Sequence, residues 1–250
     1  MPSTLGIVAS ARVAPPWMPT AIPGCVAWFD ASHAASIIAS AGAVSQWSDR
    51  SGLGNHVTQA TAAKKPTTGL VTQNGRNVIS FDGDDWLKRT GHTPVAATAY
   101  SIFAVFRKTG ANTAYEAGPL SLSNAASGRP IDMWGGNRWC EANQFSGGAN
   151  YPNINLNTSW SQLTWKGIKG TNPVHHALEE RKNGAAAYSN ILNYTITWQN
   201  LSQEIVIASR ADGVTSLRGD IAEIVLYDSA LSDTDRNTVE SYLKAKWGTP

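Results

Sequence analysis

The chain has 250 residues, which is enough for one large all-β domain or for two small domains. Only 15% of the residues are charged, against roughly 25% in an average soluble domain, whereas tryptophan occurs ten times. This composition excludes a disordered chain and a coiled coil, and a formal charge of +2 provides no basic field for nucleic acid. No apolar run approaches the roughly 18 residues that a membrane span needs, so no span is predicted.

Residues 1–23 differ from the rest because they are small, apolar and rich in proline, with five prolines in the segment. Each proline disfavours the helical region at the residue before it, so we expect an extended arm. No positive residue precedes the apolar stretch, which is unlike a signal peptide and predicts folding in a cytoplasm. The segment is either a disordered leader or an arm that docks on another subunit. Docking is the favoured interpretation, and the apolar residues that would carry it are Leu5, Ile7, Val8, Trp17 and Met18.

From residue 24 to residue 250, short apolar runs alternate with turn-forming clusters, as in an all-β sandwich. The residues between Tyr100 and Arg107 are apolar on both alternating faces, which predicts a central strand. Two stretches rich in Gly, Asn, Ser and Pro, 121–136 and 145–157, are predicted to be long loops. The other predicted strands cover residues 25–29, 78–81, 162–168, 204–209 and 220–227.

One helix is predicted near the C-terminus. Ser232 and Asp235 have the spacing of a capping box, and Gly248 is placed to end the helix. The apolar stripe of this helix is predicted to pack on the sandwich, and it comprises Val239, Tyr242, Leu243 and Trp247.

A polar cluster around two glycines, with Asp49, Ser51 and Asn55, resembles part of an oxygen-rich cation site. The same residue types stabilise turns by bonding their own backbone, and the full calcium-loop pattern is missing. A structural turn is therefore the favoured interpretation, and bound Ca²⁺ is the alternative. Apart from this possible structural ion, no cofactor is expected.

No catalytic signature is present in the sequence. There is no nucleophile elbow, and the adjacent His175 and His176 would point to opposite faces of a strand. The acids of the 82–85 segment surround a glycine at a strand end, where a turn is expected. The two cysteines, Cys25 and Cys140, are predicted to be buried thiols, although one disulfide between them is an alternative. We therefore expect a protein that is not an enzyme.

The tryptophans divide into two groups by context. Trp28, Trp47, Trp165 and Trp247 lie in strand or helix patterns and are predicted to be in the core. Others lie beside Gly- and Asn-rich segments, where an indole ring can stack on a sugar while amides bond its hydroxyl groups. The strongest such stretch predicts a carbohydrate-binding site formed by Trp134, Asn137, Trp139, Asn143 and Gln144.

Several segments resemble the concanavalin A-like, laminin-G-like jelly-roll domains. The resemblance is carried by Trp28–Ser32, by Val44–Asn55 and Asn77–Gly83, by the turn at Arg181–Gly184, and by the ending Leu217–Tyr227 with its following helix. It covers about residues 24–248 and implies a two-sheet antiparallel jelly-roll sandwich with a C-terminal helix. The strand with three alternating acids that glycanase members carry is missing, which argues against hydrolysis.

The segment Leu5–Ser10, followed by prolines, is similar to the N-termini of minor tail proteins of actinobacterial phages. This resemblance implies a virion tail protein assembled in the host cytoplasm, whose arm binds other tail proteins and whose jelly roll binds glycans of the host envelope. Homo-oligomerisation is compatible with it. The alternative functions are a purely structural virion protein and, third, an envelope-degrading hydrolase.

Overall fold

The computed structural model describes residues 17–91, 99–110, 118–124, 128–134, 138–141, 158–169, 175–193, 204–209 and 216–250. These residues form sixteen β-strands and one α-helix, together with three short 3-10 helices. The strands are β1 (Cys25–Asp30), β2 (Ile37–Ser40), β3 (Ala43–Trp47), β4 (Val57–Thr58), β5 (Thr67–Gln73), β6 (Arg76–Asp82), β7 (Leu87–Thr90), β8 (Ala99–Lys108), β9 (Leu120–Asn124), β10 (Gly128–Trp134), β11 (Arg138–Glu141), β12 (Ser161–Lys169), β13 (His175–Lys182), β14 (Ala185–Asn193), β15 (Glu204–Ile207) and β16 (Arg218–Tyr227). The helix α1 covers Asp233–Trp247, and the 3-10 helices cover Pro19–Ala21, Ala34–Ser36 and Ala62–Lys64.

All the strand pairs are antiparallel, and they form one continuous hydrogen-bonded path that begins at β11 and ends at β14. Its order is β11-β10-β9-β15-β7-β4-β3-β5-β6-β16-β8-β12-β13-β14, with β1 added beside β16 and β2 beside β3. The path folds over itself, because side chains from distant strands meet in one core; the rings of Phe29 on β1 and Trp47 on β3 are 5.6 Å apart. The predicted all-β sandwich with a C-terminal helix is therefore confirmed.

The central strands bury side chains on both of their faces. On β8, Tyr100, Ile102, Ala104 and Phe106 belong to the core inside the sandwich, whereas Phe103 and Val105 belong to a second core beneath helix α1. This is the two-faced burial that the residue pattern predicts for a strand covered on both sides. The sheet that holds β1, β16 and β8 is consequently sandwiched between the other strands and the helix.

Helix α1 begins and ends as the sequence predicts. The Ser232 hydroxyl accepts a hydrogen bond from the backbone N–H of Asp235 at 3.1 Å, and Gly248 takes the left-handed conformation with φ 64°. Val239, Leu243 and Trp247 are fully buried against the sheet. Within the described part of the chain, no helix is long and apolar enough to cross a membrane.

Residues 17–23 differ from the extended arm that was predicted. Pro19–Ala21 forms a 3-10 turn, and the Tyr227 hydroxyl donates a 2.9 Å hydrogen bond to the Pro19 carbonyl. Ile22 is buried in the core beneath the helix. This part of the predicted arm therefore packs on the domain itself, because it carries enough apolar surface to cover the end of that core.

The prediction of a loop over 121–136 is wrong. The segment contains part of β9 and all of β10, and Leu122 of β9 pairs with Ile205 of β15. Leu120 and Leu122 are buried, so tertiary pairing outweighs the turn-forming composition of the segment. The second predicted loop, 145–157, lies outside the described residues.

Candidate functional site: a cleft between the sheet and the helix

An open cleft of about 750 Å³ lies where the end of β1 meets the second half of α1. Strand β1 contributes Trp28 and Asp30, which point to the same face because they are two residues apart. The helix contributes Tyr242 and Lys246, which are four residues apart and therefore lie on one side of it. Trp17 completes the wall from the segment before β1.

Aromatic rings form two sides of this cleft. The Trp17 and Tyr242 rings are both half-buried, with their centroids 5.2 Å apart and their planes tilted by 58°. Trp28 is buried beneath Arg50, whose guanidinium carbon lies 3.9 Å from the centre of the indole ring. The cleft therefore presents partly exposed ring surface next to a stacked cation, which is a suitable surface for the C–H face of a ring-shaped polar ligand.

The Asp30 carboxylate organises the charges along the cleft. It accepts hydrogen bonds from the backbone N–H and hydroxyl of Ser32, at 3.0 and 2.6 Å, and pairs with both Arg50 and Lys246. Burial acts to raise the pKa of Asp30, but the Lys246 ammonium, Ser32 and Arg50 outweigh it, so this pKa lies below its ordinary value. Asp30 therefore fixes the positions of two cations at the cleft.

A fully buried carboxylate, Glu223, lies behind Asp30 on the neighbouring strand β16 and joins the sheet to the helix. One of its oxygens accepts from the Trp28 indole at 2.7 Å and from the Tyr242 hydroxyl at 2.9 Å. The other accepts from the Trp247 indole at 2.6 Å and from Lys246 at 2.7 Å. Burial and the nearby Asp30 charge raise the pKa of Glu223, and Lys246 opposes that rise. Glu223 thus holds two of the cleft's aromatic residues in place.

The predicted carbohydrate site falls mostly outside the described residues. Asn137, Asn143 and Gln144 are not among them, while Trp134 and Trp139 lie on β10 and β11. These two strands form an antiparallel hairpin in which Met133 is opposite Trp139 and Trp134 is opposite Arg138. The loop assignment for the two tryptophans is therefore corrected to strands, and the assignment of a saccharide site to this hairpin stays a prediction.

The four tryptophans predicted to be in the core, Trp28, Trp47, Trp165 and Trp247, are all buried. Among the residues predicted for docking, Trp17 and Met18 line the cleft, and Met18 is 41% exposed. The other three, Leu5, Ile7 and Val8, lie outside the described residues, so a docking arm also stays a prediction.

Asp49, Ser51 and Asn55 come together in a tightly bonded turn. One Asp49 oxygen accepts from the backbone N–H groups of Trp28 and Ser51, and the other accepts from the Ser51 hydroxyl and the Asn55 N–H, all at 2.6–2.9 Å. Oxygens facing four donors are typical of a structural turn. In the portion of the chain that is described, no group of three or more His, Cys, Asp or Glu side chains is arranged to hold a metal ion. Calcium binding by this turn stays the alternative interpretation.

The acidic segment after β6 forms the predicted turn. Asp82 accepts a hydrogen bond from the backbone N–H of Asp84 at 2.9 Å, and Asp85 accepts one from the N–H of Asp82 at 3.2 Å. Burial, with added repulsion from Asp82 and Asp84, raises the pKa of Asp85 to about 6. Cys25 is a free thiol, half-buried, and burial raises its pKa to about 12, whereas nothing is described of the Cys140 side chain.

Sequence reasoning missed the cleft because its parts are distant in the chain. The Trp28 indole and its Glu223 acceptor are 195 residues apart, and only the pairing of β1 with β16 brings them together. Two local signals were present: the i, i+2 spacing of Trp28 and Asp30, and the i, i+4 spacing of Tyr242 and Lys246. Helix α1, which was predicted only to pack its apolar stripe on the sandwich, also lines the cleft.

No protein-family model matches the sequence, and no curated protein matches it. Several solved structures have a fold similar to that of this chain. A GH54 α-L-arabinofuranosidase soaked with a cyclic sulfate inhibitor has a TM-score of 0.57 at 14% identity, and the alignment covers 89% of this chain and 63% of that one. The binding domain of botulinum neurotoxin serotype D has a TM-score of 0.57 at 14% identity, with 91% and 54% coverage.

A third neighbour is the Trypanosoma rangeli sialidase in complex with the inhibitor DANA, with a TM-score of 0.56 at 12% identity. The alignment covers 92% of this chain and 35% of the sialidase, so the chain spans less than two thirds of each of these three structures. At such low identity the likeness concerns the fold alone. The chain shares a β-sandwich architecture with domains of these proteins.

Proposed function

We propose that this chain is a non-catalytic carbohydrate-binding domain whose saccharide site is the cleft between β1 and α1. The observation that carries the proposal is the pairing of partly exposed rings, Trp17 and Tyr242, with polar groups that are already fixed in position by Asp30. Ligand sites typically combine a largely preformed concave surface with a few oriented polar groups. The names of the arabinofuranosidase and the sialidase, both enzymes that act on sugars, add support of a general kind.

The carboxylates of the cleft support binding rather than hydrolysis. Glycoside hydrolysis needs two carboxyl groups that reach the scissile bond, with a proton available on one of them. Asp30 is only 3% exposed and has four protein donors, while Glu223 is fully buried and also has four. Neither group is free to act on a substrate.

We also propose where the domain acts: in the tail of a phage virion, facing the host envelope. Its support is the resemblance of Leu5–Ser10 and of the following prolines to minor tail proteins of actinobacterial phages. In this setting, the part of the predicted arm that precedes Trp17 anchors the protein to other tail proteins.

A glycan microarray and a pull-down with purified actinobacterial cell wall test the proposal. The wild-type chain is expected to bind saccharides, and Trp17→Ala to weaken that binding about tenfold, because it removes one aromatic wall. Trp86→Ala is the matched control, since Trp86 is also half-buried but lies outside the cleft.

Trp139→Ala separates the two candidate saccharide surfaces. Loss of binding in Trp139→Ala with retention in Trp17→Ala would move the site to the hairpin of β10 and β11. A folded wild-type chain that binds neither glycans nor cell wall would contradict the proposed function and favour a purely structural virion protein.

A further inference from the structure

The charges around the cleft are only partly balanced by the protein. Arg50 and Lys246 both pair with Asp30, and Lys246 pairs with Glu223 as well. These two cations and two carboxylates compensate one another; Arg50, Lys246 and Asp30 line the cleft, and Glu223 is buried behind Asp30. They leave no excess charge of either sign for a ligand.

Arg76, the first residue of β6, is the exception. Its side chain lines the cleft and is exposed, and it donates one hydrogen bond to the Asn74 carbonyl at 3.2 Å. Among the described residues, no carboxylate lies within ion-pair distance of it. A guanidinium has five N–H donors in a planar fork, so most of its donors are available to an anion.

Two further side chains that can donate hydrogen bonds line the cleft. They belong to His33 and Ser241, and both are exposed. A ligand that places an anionic group on Arg76 can therefore place hydroxyl groups on these donors and its ring face on Trp17 or Tyr242.

We infer that the cleft binds an acidic saccharide, a pyranose that carries a carboxylate or phosphate group, with Arg76 contacting the anion and the aromatic pair contacting the sugar ring. This inference rests on the proposed carbohydrate-binding function and adds the ligand class and the residue that selects it. Carboxylate and phosphate both match the guanidinium fork, so the experiment treats them as separate arms.

The experiment measures dissociation constants for the full chain by ligand-observed NMR and tryptophan fluorescence. The probes are methyl β-glucoside, methyl β-glucuronide and glucose 6-phosphate, with acetate and inorganic phosphate as anions that lack a sugar. We expect at least one acidic sugar to bind about tenfold more tightly than the neutral glucoside, and that preference to shrink as salt is raised.

Three variants of the chain assign the effect to Arg76. Arg76→Gln is expected to remove the tenfold preference, measured as the ratio of the dissociation constants of that variant for the neutral and the acidic sugar, and Arg76→Lys is expected to restore part of the preference. Lys244→Gln is the control, since it removes the same charge from an exposed position of α1 outside the cleft.

The possible failures are distinguishable. Equal binding of neutral and acidic sugars, lost in Trp17→Ala, would overturn the acidic class while the carbohydrate function stands. Acetate or inorganic phosphate binding as tightly as the acidic sugars would show a simple anion site and overturn the inference. No binding of any sugar here or on the glycan array would overturn both.

Discussion

Replacing Glu223 by glutamine tests the buried connection between the sheet and the helix. All four partners of this carboxylate donate hydrogen bonds, and an ionised carboxylate, which only accepts, matches four donors. We therefore expect Glu223 to be ionised at neutral pH, although burial raises its pKa. Glutamine keeps the shape but exchanges one acceptor oxygen for an NH₂ group.

The size of the effect follows from the bonds that are lost. If the NH₂ group takes the second position, Trp247 and Lys246 lose their acceptor and face a donor instead. Two hydrogen bonds to a charged group contribute about 1.5–3 kcal/mol each, and Lys246 keeps its pair with Asp30, so we expect a loss of about 3 kcal/mol.

Urea unfolding at pH 7, followed by tryptophan fluorescence, measures this loss. With a slope of about 3 kcal/mol/M, the midpoint should fall by about 1 M. Asp84→Asn is the control because its side chain is 67% exposed, and we expect less than about 0.5 kcal/mol for it. A loss below about 1 kcal/mol for Glu223→Gln would refute the reasoning, because it would show a carboxyl group that is protonated in the folded state.

Three further substitutions test other parts of the structure. In the wild type the pKa of the Asp85 carboxyl group is raised to about 6. This group therefore stabilises the folded state below about pH 4, and that stabilisation is lost as the pH rises through 6; Asp85→Asn removes the group. Wild type should lose about 2 kcal/mol relative to Asp85→Asn between pH 4 and 7, and parallel pH profiles would contradict this. Gly219→Ala places a Cβ 2.3 Å from the Arg107 carbonyl oxygen, so we expect the free energy of unfolding, measured in urea, to fall by about 2 kcal/mol. An unchanged midpoint would show that β16 can shift to make room. Ser232→Ala removes the helix cap and should cost about 1 kcal/mol, with Ser232→Gly costing less; equal stability of all three proteins would mean that the cap contributes nothing.

The features that sequence reasoning predicted well are local. The helix was predicted with its cap and its end because Ser232, Asp235 and Gly248 determine these within a few residues. The two-faced burial of β8 follows directly from its uninterrupted apolar pattern.

The features that were missed depend on pairing between distant segments. The Gly- and Ser-rich composition after Leu120 indicated a loop, yet the antiparallel partner strand β15 converts part of it to β9. Likewise, the cleft requires the register that places Asp30 opposite Glu223 and the packing that places Lys246 between them. A single sequence does not specify such contacts, because register is set by the tertiary arrangement of both strands.

The central claim is that sugars bind in the cleft walled by Trp17 and Tyr242. The most direct test follows the indole N–H resonances by two-dimensional NMR, with each assigned by substitution, during titration with methyl β-glucuronide and glucose 6-phosphate. We expect the Trp17 resonance to shift in a saturable way while that of Trp47, buried inside the sandwich, stays in place. A saturable shift confined to Trp134 or Trp139, or no shift at any indole, would contradict it.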